Sequence, residues 1–230
     1  MTVATPKLPD PPKLRLYSYA RSSASWRARI GLALKRLSYE YVPVHLVQAG
    51  GQQRAPEYSA KNPMEQVPTL EIVRPSGVQR ISQSIAILEW LEDYYPALPI
   101  LPSDPYLRAR ARMLAELVNS GIQPFQNLSV TDHVKTALGA DDKAWTKHFV
   151  GKGMLALERA ARETAGRFAV GDFPTFADVC IVPQMASARR FGVDVTPLET
   201  LLRIEASCNA LDAFVAAVPE RQPDFEPAKG

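Results

Sequence analysis

Asn62-Pro63-Met64-Glu65-Gln66-Val67-Pro68-Thr69-Leu70 is the stretch that decides the fold. It sets a proline directly ahead of a run of β-formers at 69–74, and the residue before a proline is pushed to extended geometry. Downstream, Pro75-Ser76-Gly77 separates that run from a second one at 78–82, which predicts a hairpin. Gln83-Ser84 then opens an amphipathic helix through Ile85, Leu88 and Leu91 that ends before Pro96. Upstream lie a short helical stretch around 56–60, a polar loop at Gly50-Gly51-Gln52-Gln53, and a strand at 39–46. In that strand Val42, Val44 and Leu46 alternate with Tyr41, Pro43 and His45, and its proline suits a sheet edge. Farther back, Leu14, Leu16 and Ser18 alternate with Arg15, Tyr17 and Tyr19 as a strand with one face buried. The period then changes: Trp26, Ile30, Ala33, Leu34 and Leu37 form the apolar stripe of a helix packed on a sheet. The order is β-α-β-α-β-β-α. With a proline before the third strand, it is the pattern of a thioredoxin-like domain.

Between the first strand and the first helix stands Arg21-Ser22-Ser23-Ala24-Ser25-Trp26-Arg27. Three serines sit where unpaired backbone N–H groups and the positive end of a helix dipole attract an anion. A serine hydroxyl there can donate to that anion, or simply cap the helix; the stretch alone leaves both readings open.

The chain has 230 residues, 46% hydrophobic and 22% charged, with a net charge of +3. That is an ordinary globular composition, and the excess is too small to imply a nucleic-acid partner. Arg108, Arg110 and Arg112 read as a solvated helix face rather than a phosphate track. No apolar run is long enough to span a membrane and the N-terminus lacks a signal-peptide core, which points to a cytoplasmic protein. Cys180 lies in the apolar run Val179-Cys180-Ile181-Val182 as a core thiol, and no disulfide with Cys208 is expected. His45, His133 and His148 have no partners at metal-ligand spacing, so no metal site is assigned.

Residues 1–12 carry four prolines and little hydrophobicity and read as a disordered lead-in. Leu98-Pro99-Ile100-Leu101-Pro102-Ser103-Asp104-Pro105 reads as a linker. Beyond it the stretches 106–121, 142–165 and 176–191 look helical, the second with Trp145, Phe149, Ala156 and Ala160 on one side. Thr175-Phe176-Ala177-Asp178 has capping-box spacing ahead of a nearly all-apolar helix. The expected organisation is therefore an α/β thioredoxin-like domain at 13–96, a linker at 97–105 and an all-α domain at 106–230.

Several motifs in this order resemble one family. Ser22-Ser23-Ala24-Ser25-Trp26-Arg27, Asn62-Pro63-Met64-x-Gln66-Val67-Pro68-Thr69-Leu70 and Gln83-Ser84-x-Ala86-Ile87 are similar to the glutathione site of the zeta class of glutathione transferases. Gly121-Ile122-Gln123-Pro124-x-Gln126-Asn127-Leu128-Ser129, Ala177-Asp178-x-Cys180-x-Val182-Pro183-Gln184 and Ala188-Arg189-Arg190-Phe191 are similar to its helical domain. The resemblance extends from Leu14 to Asp224 and implies the glutathione transferase fold, glutathione as cofactor, a homodimer and a small dicarboxylic substrate. The implied reaction is isomerisation of maleylacetoacetate to fumarylacetoacetate in aromatic amino-acid breakdown. Maleylpyruvate isomerisation, transfer or dehalogenation of small α-halo acids, and a catalytically silent binding module stand as alternatives.

By the same resemblance Ser22, or else Ser23, holds the thiolate and Arg190 a substrate carboxylate. Val67 and Pro68 would meet the cysteinyl backbone, with a cis bond between them. Gln83 and Ser84 would take the γ-glutamyl carboxylate, and Gln53 would meet the glycyl end. Gln123, Asn127, Leu128 and Ser129 would line the cleft from the helical side. Each residue also has a plainer reading: Pro68 as a strand-start proline, Ser84 as an N-cap, Gln53 as a solvated loop residue, Arg190 as a salt-bridged surface arginine, Asn127 as a helix cap. One position departs from the family pattern Ser-Ser-Cys-Ser, because Ala24 stands where the cysteine belongs. Any role of that thiol is thereby in doubt, and thiol–disulfide chemistry at this turn is ruled out.

Overall fold

The computed structural model describes residues 11–227, so all but the last two residues of the expected lead-in lie outside the described residues. Strands and helices β1 (Lys13–Ser18), α1 (Ser23–Leu34), β2 (Glu40–Pro43), α2 (Pro56–Ser59), β3 (Thr69–Arg74), β4 (Gly77–Ser82) and α3 (Ser84–Tyr94) follow in the expected order. They build a four-stranded sheet ordered β2-β1-β3-β4, with β2 and its Pro43 at the edge. β1 runs parallel to β2 and antiparallel to β3, with Leu16 opposite both Tyr41 and Leu70. β2 is shorter than its β-formers suggest. Beyond it His45 Nδ1 accepts the backbone N–H of Gln48 at 2.9 Å, which turns the chain out of the sheet.

One face of the sheet presents Leu14, Leu16, Leu70 and Ile72 to Ala28 and Leu32 of α1 and to Ile87 and Leu91 of α3. Gly31 lets α1 and α3 approach closely, since a Cβ there would lie 2.3 Å from Leu88 Cδ2. The other face holds Tyr17, Tyr19, Val44, Tyr58 and Val67. Trp26 and Ile30, on a different side of α1, belong instead to the core of the helical half.

That half comprises α4 (Pro105–Asn119), α5 (Leu128–Thr136), α6 (Asp142–Arg162), α7 (Phe176–Arg190), α8 (Glu199–Asn209) and α9 (Asp212–Ala216). α7 is buried along most of its length, Cys180 included, and packs against α1, α4 and α8. Its start is fixed by Asp178, whose carboxylate accepts the backbone N–H and hydroxyl of Thr175 and the backbone N–H of Ala169.

Two helical readings need correction. The buried stripe of α6 is Val150, Met154, Leu157 and Ala161, while Ala156 is exposed. Trp145 and Phe149 are half-buried and pack with Phe125 instead. Arg108, Arg110 and Arg112 are no solvated face: they are half-buried and pair with Glu92, Glu163 and Glu89 respectively. Two of those glutamates lie on α3, so the arginines tie α4 to the sheet half. The proline-rich connection is packed, with Ile100 and Leu101 buried. Ile100 donates its N–H to Glu92 and accepts the N–H of Phe176. No helix among the described residues is long and apolar enough to cross a membrane.

Candidate active site

At the end of β1 the chain turns sharply, Ser22 N–H donating to Tyr19 C=O at 3.0 Å, and α1 begins. Ser22 is the N-cap of that helix in extended geometry, and its Oγ accepts the Ser25 N–H at 3.2 Å. The hydroxyl is thus anchored through its lone pair, and its proton goes to no acceptor among the described residues. Capping and donation, which the sequence poses as alternatives, are compatible in one group.

Ser22, Ser23 and Ala24 face a cavity of about 740 Å³ between the sheet half and the helices. That size suits a small-molecule site. Val67 and Pro68 form its next wall, joined by the expected cis peptide bond. Their loop is held from below: Tyr58 Oη and Asn62 Nδ2 both donate to Gln66 C=O, at 2.6 and 2.7 Å. Val67 is buried, and neither its N–H nor its C=O has a backbone partner among the described residues. An unpaired peptide group at a cavity wall can pair with an extended ligand as a strand edge does.

Gln83 and Ser84 also line the cavity. Gln83 has φ 72°, a region that residues with a Cβ avoid, and it turns the chain from β4 into the first turn of α3. Ser84 is buried and accepts a hydrogen bond from Arg27 Nη1 at 3.3 Å. Gln53 is no solvated loop residue: it is 7% exposed, its Nε2 donates to Leu46 C=O, and its Oε1 is buried without a partner at the cavity wall.

Gln123, Asn127, Leu128 and Ser129 close the opposite side, with Gln123 Nε2 donating to Asn127 Oδ1. Asn127 stands at the start of α5, but its side chain accepts no capping bond. Arg190 ends α7 on the same side, exposed and without a carboxylate partner among the described residues. Its neighbour Arg189 points the other way and makes a two-pronged pair with Glu205. The salt-bridged reading therefore belongs to Arg189.

Ser25, Trp26 and Arg27 do not line this cavity. Each is buried behind it, because the helical period carries these three positions inward. Sequence reasoning missed Tyr19, Arg21, Asn119, Gln126, Lys143 and Ser187, which also line the cavity. Arg21 and Gln126 stand inside quoted motifs; Tyr19, Asn119, Lys143 and Ser187 carry no local signal along the chain. The C-terminal segment was missed as well. Asp224 accepts from Ala20 N–H at 3.0 Å and from Tyr41 Oη at 2.6 Å, and the guanidinium of Arg21 sits over the Phe225 ring. Among the described residues no group of three His, Cys, Asp or Glu side chains is placed to hold a metal ion.

The family model for the glutathione S-transferase N-terminal domain matches residues 21–93. The maleylacetoacetate isomerase of Rattus norvegicus is 48% identical, over 91% of this chain and 94% of its own length. Among solved structures, maleylacetoacetate isomerase from Anaeromyxobacter dehalogenans 2CP-1, with glutathione bound in its active site, superposes with a TM-score of 0.87. It is 49% identical, covering 94% of this chain and 99% of that one. The holo structure of a bacterial maleyl pyruvate isomerase of the zeta class gives a TM-score of 0.85 at 39% identity, over 92% and 100% of the two chains. With its thioredoxin-like sheet half and its helical half meeting at the cleft, this chain belongs to the zeta class of the glutathione transferase family.

Proposed function

We propose that the protein is a glutathione-dependent cis–trans isomerase that converts maleylacetoacetate to fumarylacetoacetate in phenylalanine and tyrosine catabolism. The observation that carries this reading is the placement of Ser22, with its free hydroxyl proton, and the unpaired Arg190 on one cleft. The residues fit glutathione. Val67 offers an unpaired peptide edge for the cysteinyl backbone, Ser84 a helix start for the γ-glutamyl carboxylate, and Gln53 a buried Oε1 that can accept the glycyl N–H. When bound, glutathione supplies a thiolate that adds reversibly to the conjugated double bond and leaves again after rotation about the resulting single bond.

The protein's part is to hold sulfur as thiolate and to place the substrate. An ordinary thiol titrates near 8.5, and lowering it by about two pH units requires about 2.7 kcal/mol of preference for the anion. One hydroxyl hydrogen bond to a charged acceptor, about 1.5–3 kcal/mol, together with a helix-dipole contribution of about 0.3–1, suffices. Ser22 supplies the first and the start of α1 the second. Ser23 is the second choice for the donor. Arg190 holds a substrate carboxylate so that the attacked carbon sits near sulfur.

Residues 13–96 are proposed as the glutathione-binding domain, 97–105 as the connection and 106–230 as the substrate domain of a cytoplasmic homodimer. Likeness to a maleyl pyruvate isomerase favours maleylpyruvate as the second candidate substrate. The test is direct: purified protein and glutathione are mixed with each of the two cis acids, and double-bond isomerisation is followed. Faster turnover of maleylpyruvate would overturn the assignment of substrate, and turnover of neither would overturn the isomerase.

The two adjacent arginines give a sharper result. Arg190→Leu is expected to lower kcat/KM for the dicarboxylic substrate by roughly ten- to two-hundredfold, mainly through KM, from loss of one charged hydrogen-bonded contact. Arg189→Leu leaves Glu205 without its partner and is expected to lower the thermal midpoint while changing kcat/KM little. The opposite pattern would show that the roles are reversed.

A further inference from the structure

Arg27 is a buried cation without an ion pair; its nearest link to an acid runs through Asn119, whose Nδ2 donates to the exposed Glu116 at 3.4 Å. Its side chain is completely buried in α1, and among the described residues no carboxylate lies within ion-pair distance of it. Nη1 donates to Ser84 Oγ at 3.3 Å and to Asn119 Oδ1 at 3.0 Å, whereas Nε and Nη2 are buried with no acceptor. Two other buried cations nearby are treated differently. Lys35 pairs with Glu92 at 2.7 Å and also donates to Tyr95 C=O. Arg29 donates to three backbone carbonyls, those of Tyr19, Ala20 and Ala217, and to the hydroxyl of Ser18. Burial pulls the Arg27 guanidinium below its ordinary value, but an arginine does not give up its proton in a protein, so the charge stays. What sets Arg27 apart from Arg29 is its two unsatisfied nitrogens, a destabilising arrangement that an anion brought to its side would offset.

The two side chains that Arg27 does reach, Ser84 and Asn119, both line the large cleft. Ser84 Oγ accepts from Arg27, so its own proton points elsewhere, and Ser84 opens the 11-residue helix α3, whose first N–H groups have no partners within the helix. An anion placed there meets a hydroxyl proton, helix N–H groups and, behind them, a full positive charge in a medium where charges interact strongly.

We propose that Arg27 is a positioning residue for glutathione, acting through Ser84 as the buried counter-charge of the γ-glutamyl carboxylate. The inference rests on the glutathione reading of the cleft and adds to it a residue that does not touch the ligand. Ligand-free protein carries the cost of the unpaired cation, and binding relieves it. Affinity for the carboxylate is thus obtained at the expense of stability in the empty state.

Calorimetry with glutathione and with γ-aminobutyryl-cysteinyl-glycine, which lacks only the carboxylate in question, tests this on wild type, Arg27→Met and Arg27→Lys. Arg27→Met is expected to weaken glutathione by roughly ten- to fiftyfold and the decarboxylated peptide by less than about threefold. The thermal midpoint of ligand-free Arg27→Met is expected to equal or exceed that of wild type, since an apolar side chain of similar length replaces an unpaired charge. Arg27→Lys, which keeps the charge and serves if the methionine variant does not fold, is expected to retain discrimination between the two peptides. Equal weakening of both peptides together with a lowered midpoint would overturn the proposal and make Arg27 a packing residue. Unchanged glutathione affinity in Arg27→Met would overturn it too. Wild type that binds neither peptide would instead overturn the glutathione reading beneath it.

Discussion

Asp178→Ala is expected to lower the stability of the protein by roughly 3–5 kcal/mol, or about 6–20 °C in thermal midpoint. The carboxylate is fully buried and accepts three hydrogen bonds from nitrogen and oxygen donors, at 2.8 Å from Ala169 N–H, 2.8 Å from Thr175 N–H and 2.9 Å from the Thr175 hydroxyl, besides a weaker one from Cys208 Sγ at 3.8 Å. Alanine leaves all three donors buried and unpaired, at the start of the helix on which α1, α4 and α8 pack. Burial pushes the Asp178 carboxyl up from its ordinary 3.8 to about 6, against the hydrogen bonds that favour the anion. The folded state therefore holds this proton more tightly than the unfolded chain. The stabilisation that follows is complete below pH 3.8 and is lost as pH rises through about 6. That interval corresponds to about 3 kcal/mol, so the stability gap between wild type and Asp178→Ala should widen towards that extent between pH 7 and pH 4. Taking the difference between the two proteins cancels the other titrating groups. Denaturant unfolding of both at several pH values measures it; a gap that narrows as pH falls would show that the hydrogen bonds outweigh burial.

How far such features are legible in the chain depends on whether the causing residues are neighbours in sequence. The hairpin of β3 and β4 and the start of α3 were legible because Pro75-Ser76-Gly77 and Gln83-Ser84 act locally. So was the capping role of Thr175 and Asp178, three residues apart. Helix α8 was not, since its inward stripe Leu201, Ile204, Glu205 and Cys208 contains a charged residue that only Arg189, sixteen positions away, makes acceptable. The extent of α6 is legible but its buried side is not, because Trp145 and Phe149 form as apolar a stripe along the chain as Val150, Met154 and Leu157, and their partner Phe125 lies on another element. In the cleft, Ser22, Val67-Pro68 and Gln83-Ser84 are singled out by family resemblance, since each has a plainer local reading as a cap or a strand-start proline. Arg27 could be placed in the same motif as Ser22, yet its exclusion from the cavity and its missing ion pair depend on Ser84 and Asn119, 57 and 92 positions away. Arg189 and Arg190 are indistinguishable in sequence, and the position of Glu205 separates them.

Ser22→Ala is expected to slow isomerisation by roughly ten- to two-hundredfold at neutral pH, the loss of one hydrogen bond of about 1.5–3 kcal/mol to a charged sulfur. The same energy corresponds to about one to two pH units in the titration of the bound thiol, so raising the pH should recover part of the rate. Thiolate absorbance of the glutathione complex, followed against pH, reads that displacement without turnover. Because Ser22 Oγ also accepts the Ser25 N–H, alanine removes the cap of α1 and costs about 0.5–2 kcal/mol of stability as well. Ser22→Asp separates the two roles: aspartate caps a helix as well as serine but has no proton to give at neutral pH. It is expected to keep stability close to wild type and to lose activity at least as fully as alanine. Ala24 faces the same cleft two positions later. Since the donor is a hydroxyl anchored by its own N-cap geometry, Ala24→Cys should change the rate far less than Ser22→Ala. Full activity in Ser22→Ala, or activity that arises only with Ala24→Cys, would assign the thiolate to a different residue. Ser23, the next hydroxyl at the cleft, is the first to test in that event, by the same pair of absorbance and rate measurements on Ser23→Ala.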